Sequence, residues 1–172
     1  WETAQGGEYF AAGVGGAITG RGADLLIIDD PHSEQDALNL TALERAYEWY
    51  TSGPRQRLQP GGQIICVMTR WNVKDLTGML MQAQKEAKAD QWELIEFPAI
   101  MPSGNPVWPE YWKLKELETV KASLSLGKWN AQWMQNPTSE EGAIIKREWW
   151  KKWDHDYLPT LEHIIQSYDT AF

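Results

Sequence analysis

Two short apolar runs joined by a helical crossover, with a proline-rich break near residue 100, predict an α/β chain. The expected fold is a parallel sheet with helices on both faces, then a largely helical connector, then the edge of a second α/β domain. Leu25-Leu26-Ile27-Ile28 and Ile64-Ile65-Cys66-Val67-Met68 are apolar throughout and rich in β-branched residues. Continuous rather than alternating hydrophobicity marks strands buried on both faces, which is a property of parallel sheets. The intervening amphipathic stretch is long enough for the right-handed crossover that parallel neighbours require.

Seven of the fourteen glycines fall between Gly6 and Gly22. Ala11-Ala12 and Ala17-Ile18-Thr19 are expected as short strands around a turn at Val14-Gly15-Gly16. The first core strand ends in Asp29-Asp30-Pro31. Thr41-Ala42-Leu43-Glu44 has the pattern of a capping box, opening a helix through about Tyr50 that Gly53-Pro54 ends. Gln59-Pro60-Gly61-Gly62 predicts a tight turn before the second strand at Gln63–Met68. Asn72 is expected to cap a helix carrying Leu76, Met79, Leu80 and Ala83 at helical spacing. Trp92–Phe97 alternates like a third strand. Pro98, Pro102, Gly104, Pro106 and Pro109 then mark a connector. Within it, helices are expected from Glu110 to about Ala122 and from about Gly127 to Met134, the latter broken by Asn136-Pro137. Glu141–Lys146 reads as a turn into an extended segment, and His163–Phe172 as a strand leading to Asp169.

In open α/β sheets the carboxyl ends of the strands face the ligand crevice, which puts Asp29 and Asp30 there. One carboxylate can hold Mg²⁺ directly or through water, and its neighbour can orient an attacking water beside a phosphate. Apolar run followed by Asp-Asp is the Walker B pattern, although a strand ending in a solvated turn has the same residues. The Gly-x-x-x-x-Gly-Lys-Ser/Thr phosphate cradle does not occur in the sequence.

Composition narrows the class. Of 172 residues, 42% are apolar and 23% charged, as in an ordinary globular protein. No run approaches the roughly 20 apolar residues of a membrane span, and no secretory signal is visible. Cys66 is the single cysteine, which excludes an internal disulfide and fits a reducing compartment. A net charge of −8 argues against a surface that grips nucleic acid mainly through phosphates, so any such contact is local or lies elsewhere. A start at Trp1 rather than Met points to an internal segment.

Five motifs in order resemble the large subunit of phage terminases. Gly20-Arg21-Gly22-Ala23-Asp24-Leu25-Leu26-Ile27-Ile28-Asp29-Asp30-Pro31-His32 is similar to the end of that family's ATPase core, and Met68-Thr69-Arg70-Trp71 stands where the family has its coupling motif. Trp108-Pro109-Glu110, Ala131-Gln132-Trp133-Met134-Gln135-Asn136-Pro137 and Ser167-Tyr168-Asp169-Thr170-Ala171-Phe172 follow in the family's order. The resemblance implies the C-terminal half of a P-loop ATPase sheet over residues 1–103, a connector over 104–161, and the first strand of a ribonuclease-H-like nuclease over 162–172. It also implies a packaging motor that uses ATP and Mg²⁺ to drive double-stranded viral DNA into a procapsid and cuts the concatemer with a Mg²⁺- or Mn²⁺-dependent endonuclease. Implied partners are the portal protein, the terminase small subunit and further copies in a homo-oligomeric ring. The implied place is the cytoplasm of the infected bacterium, docked on the procapsid, with no membrane. The phosphate loop is expected upstream of Trp1 and further nuclease acids downstream of Phe172, so this segment alone is expected to be inactive.

By the resemblance, Asp29 is the Walker B ligand of Mg²⁺, and Asp30 positions water where the family usually has glutamate. Thr69 senses the γ-phosphate, Arg21 acts on a neighbouring subunit's ATP, and Asp169 is the first nuclease metal ligand. Each has a plainer reading. Arg21 can be a salt-bridged surface arginine, and Thr69 a helix cap. Arg70 can take the arginine role or pair with Asp24 or Asp75. Asp169 can cap a turn. His32, His155 and His163 lack metal-ligand spacing and read as polar surface or turn residues; Cys66 reads as packing, and Trp149-Trp150-Trp153 as packing or base-stacking. A helicase-type P-loop ATPase, in which Asp169 has no role, and a non-enzymatic remnant are the competing functions.

Overall fold

The computed structural model describes residues 1–16 and 18–138. The chain is α/β: strand β1 (Ala23–Asp29), helix α1 (Leu40–Ser52), strand β2 (Leu58–Val67), helices α2 (Leu76–Ala83) and α3 (Leu114–Ser123), and one α turn, α4 (Leu126–Lys128), that continues as a π-helix over Trp129–Trp133. β1 and β2 pair in parallel as a two-stranded sheet, with Leu26 opposite Ile64 and Ile28 opposite Cys66. The expected βαβ unit is therefore present. The turn expected at Gln59–Gly62 is an irregularity inside β2, because Ala23 pairs with Leu58 while Leu25 pairs with Gln63. Gly61 takes the left-handed φ of +81° that lets the surplus residues loop out.

Among the described residues, helices cover one face of the sheet and none covers the other. Leu26, Ile28, Ile64 and Cys66 pack with Tyr47 and Tyr50 of α1, Leu76 and Leu80 of α2, and Trp92. On the opposite face Leu25, Ile27, Ile65 and Val67 are about half exposed. Helices on both faces were expected; among the described residues, α1 and α2 share a single face.

Several local expectations give way to stronger local partners. α1 is capped by Asn39, whose Oδ1 accepts the Ala42 amide at 3.2 Å, rather than by Thr41. Its end at Gly53-Pro54 is as expected. α2 is capped by Asp75 rather than Asn72. Asn72 accepts from the Lys74 amide and donates to the Ala37 carbonyl instead. α3 begins at Leu114, not Glu110, because the Glu116 carboxylate accepts the Lys113 amide at 2.9 Å and fixes the first turn there. Trp92–Phe97 is not a strand: Ile95 and Phe97 are largely exposed, and an alternating segment without a neighbouring strand has nothing to pair with. Ala11-Ala12 and Ile18-Thr19 form no strands either.

The proline-rich connector folds around a second core. Residues 99–107 turn back on themselves through an Ile100–Pro106 bridge, with Gly104 at φ +83°. Ala99, Leu117 and Trp129 are buried there, with Trp112, Val120, Trp133 and Met134 packed against them. Rings run in contact from Trp108 through Tyr111, Trp112 and Trp133 to Trp129, with successive centroids 5.0–5.8 Å apart. The segments expected at Glu141–Lys146 and His163–Phe172, with His155, His163 and the Trp149-Trp150-Trp153 group, lie outside the described residues, as does Ala17. Among the described residues no helix is long and apolar enough to cross a membrane.

Candidate functional site at the carboxyl ends of the strands

Parallel pairing places the ends of β1 and β2 side by side, with Asp29 opposite Val67. Asp29 is the last residue of β1 and is exposed, and among the described residues its carboxylate makes no hydrogen bond. Asp30 extends the ladder by one bond, its amide donating to the Val67 carbonyl at 2.9 Å. Its φ of 40° then turns the chain out of the sheet, a conformation uncommon outside glycine, asparagine and aspartate. The Asp30 carboxylate (Oδ1) accepts the Thr69 amide at 3.1 Å. The structure thus brings together Asp29, Asp30 and Thr69.

The two loops beyond these strands are anchored to α2 by buried polar groups. His32 is 6% exposed, and its Nε2 accepts the Leu76 amide at 2.8 Å, so the ring is neutral there. Burial lowers its pKa below the ordinary value, against the opposing pull of Asp75 and Asp36. His32 was expected as a polar surface or turn residue; it is a buried acceptor at the start of α2. Asp75 is fully buried and gathers the loop after β2. It accepts from Arg70 Nε at 3.0 Å, from the Trp71 and Asn72 amides, and from the Gly78 amide. Of the two partners expected for Arg70, Asp75 is the one it takes. Thr69 is not the helix cap, since Asp75 holds that position.

Arg21 lies elsewhere. It precedes β1, so a seven-residue strand, roughly 20 Å at the usual rise, separates it from Asp29 and Asp30. It pairs with Glu8, and its guanidinium sits 4.3 Å from the Phe10 ring centroid. Cys66 packs in the first core, and burial pushes its thiol up to about 11, which keeps it protonated and unreactive. Asp169 lies outside the described residues.

The donor set can be tested against the cofactors the motifs imply. Mg²⁺ in nucleotide sites commonly takes one or two carboxylates and completes its shell with water and phosphate oxygens. Asp29, exposed at a strand end and without a partner among the described residues, fits that requirement as a single ligand. Among the described residues no cluster of three or more His, Cys, Asp or Glu side chains forms a cage of its own. The sequence pointed to Asp75 only as a partner of Arg70, and gave no sign of the buried roles of His32 and Gln135. The Gln135 side chain accepts the Arg70 amide across 65 residues of sequence, and a short polar motif gives no sign of that. No protein-family model and no curated protein matches this chain.

Proposed function

We propose that this chain is the Walker B and connector segment of a nucleotide-driven DNA motor of the terminase large-subunit type. The single observation that carries the reading is the Asp30–Thr69 hydrogen bond at the carboxyl ends of a parallel pair whose first strand ends in an exposed Asp29. In this reading Asp29 holds Mg²⁺, which when bound neutralises charge on the transferred phosphoryl group. The Thr69 amide occupies Asp30 Oδ1, leaving Oδ2 to orient the attacking water. A shift of Thr69 would re-aim that carboxylate, so sensing and water activation share one bond. The exposed sheet face at Leu25, Ile27, Ile65 and Val67 fits a sheet continued and covered by the rest of an ATPase domain. Arg21, at the far end of β1, suits action on a neighbouring subunit rather than on its own site. The acidic charge assigns most DNA contact to other parts of the motor.

The test is ATP hydrolysis with and without double-stranded DNA, on the protein at its natural length. Asp30→Asn is expected to abolish hydrolysis while Asp169→Asn loses only metal-dependent DNA cleavage. Hydrolysis without cleavage would instead favour a helicase-type motor. Absence of both would leave the carboxylates structural and end the motor reading.

A further inference from the structure

The two non-glycine residues with left-handed backbone among the described residues are Asp30, at φ 40°, and Gln135, at φ 55°. They lie at opposite ends of one hydrogen-bonded path. Asp30 Oδ1 accepts the Thr69 amide at 3.1 Å, the next amide, Arg70, donates to Gln135 Oε1 at 3.4 Å, and Gln135 Nε2 donates to the Gln132 carbonyl at 2.7 Å. Gln132 belongs to the π-helix, whose Trp129 carbonyl receives the Met134 amide at 3.1 Å. Trp133 in turn accepts the Ala99 amide at 2.7 Å, closing the path onto the connector core. Strained backbone and π-helical turns persist where the surroundings hold them and concentrate at working sites.

The path is also selective. Among the described residues, two side-chain hydrogen bonds join residues 1–97 to the connector, Arg70–Gln135 and Lys128–Glu34. Both land on the loops that leave the ends of β1 and β2. Lys128–Glu34 is well exposed and therefore weak. Arg70–Gln135 is half-buried and long, so a small displacement of the strand end suffices to make or break it.

We propose that Gln135 is a positioning residue that ties the Asp30–Thr69 pair to the tryptophan-lined connector, so that the strand end and the π-helix change state together. The nucleotide dependence of this coupling rests on the motor reading above; the coupling itself does not.

The experiment uses the protein at its natural length, labelled with 5-fluorotryptophan, with the ¹⁹F signals of Trp129 and Trp133 assigned by Trp→Phe replacement. Gln135→Gly removes both links yet suits the left-handed backbone, and Gln135→Glu keeps an acceptor for the Arg70 amide but has no donor for the Gln132 carbonyl. Asp30→Gly, which removes the acceptor of the Thr69 amide and suits φ 40°, is expected to shift both tryptophan signals in the wild-type background, and to lose most of that shift in Gln135→Gly and Gln135→Glu. No shift in the wild-type background, or an undiminished shift in Gln135→Gly or Gln135→Glu, overturns the proposal. In steady-state ATP hydrolysis, Gln135→Gly and Gln135→Glu are each expected to lower kcat about tenfold with KM for ATP within about twofold. A wild-type kcat in Gln135→Gly also overturns the proposal. Should the wild type hydrolyse no ATP, the motor reading fails, and the tryptophan shifts still decide whether Gln135 couples the two elements.

Discussion

Removing the Asp75 carboxylate should be among the most damaging single changes in the described part of the chain. Asp75 is fully buried, and its two oxygens serve four donors: the Arg70 guanidinium and the amides of Trp71, Asn72 and Gly78. Asp75→Ala strands all four. The Arg70 side chain is only 14% exposed, so water cannot fully replace the lost partner. Breaking a buried pair from one side costs about 3–5 kcal/mol, and the lost helix cap is part of that figure. A loss of about 4 kcal/mol is a large share of the roughly 5–15 kcal/mol that holds a domain together. With a urea slope near 2 kcal/mol per molar, the tryptophan-fluorescence midpoint should fall by about 2 M. Asp75→Asn should lose about half as much, because asparagine still caps α2 through its carbonyl. Arg70→Ala should cost less than Asp75→Ala, since Asp75 then keeps its three backbone donors. A loss under about 1 kcal/mol in Asp75→Ala, or a larger loss in Arg70→Ala, would refute this account of the loop.

Two further outcomes follow from the same region. The pKa of His32 is lowered by burial, so the neutral ring is favoured on folding. Its contribution is complete above the unfolded value of about 6.5 and is lost as pH falls through the lower folded value. Urea midpoints should therefore decline as pH falls below about 6.5, before Asp36 and Asp90, both held below the usual carboxylate value, begin to protonate. His32→Gln, which keeps an acceptor, should flatten that decline; equal slopes in both proteins would count against the His32–Leu76 bond. Gly78→Ala, by helix propensity alone, should stabilise α2 by about 1 kcal/mol. A Cβ at Gly78 would instead overlap the Val73 carbonyl and press on the Arg70 guanidinium at 3.3 Å. The expected result is destabilisation of about 1–3 kcal/mol in thermal melts followed by circular dichroism, and a raised melting temperature would contradict the packing described.

The strands and their direction were legible because they rest on short-range information. Leu25–Ile28 and Ile64–Val67 are apolar without alternation, and the helix between them leaves few alternatives to parallel pairing. From that pairing Asp29, Asp30 and Thr69 fall at one end of the sheet. Element boundaries were less legible, because competing caps lie within a few residues of each other: Asn39 against Thr41 and Asp75 against Asn72. Trp92–Phe97 has the alternation of a strand, but a strand needs an edge to pair with, and alternation carries no information about edges.

What folding alone decided are the contacts between residues distant in sequence. Asp30 meets the amide of Thr69 across 39 positions, His32 meets Leu76 across 44, and Gln135 meets Arg70 across 65. None of these side chains differs in sequence from a solvated polar residue. Each becomes specific only when packing of the apolar faces brings a backbone amide within its reach and excludes the water that would otherwise satisfy it. Local pattern therefore determined where the carboxylates stand, and burial determined which groups hold them there.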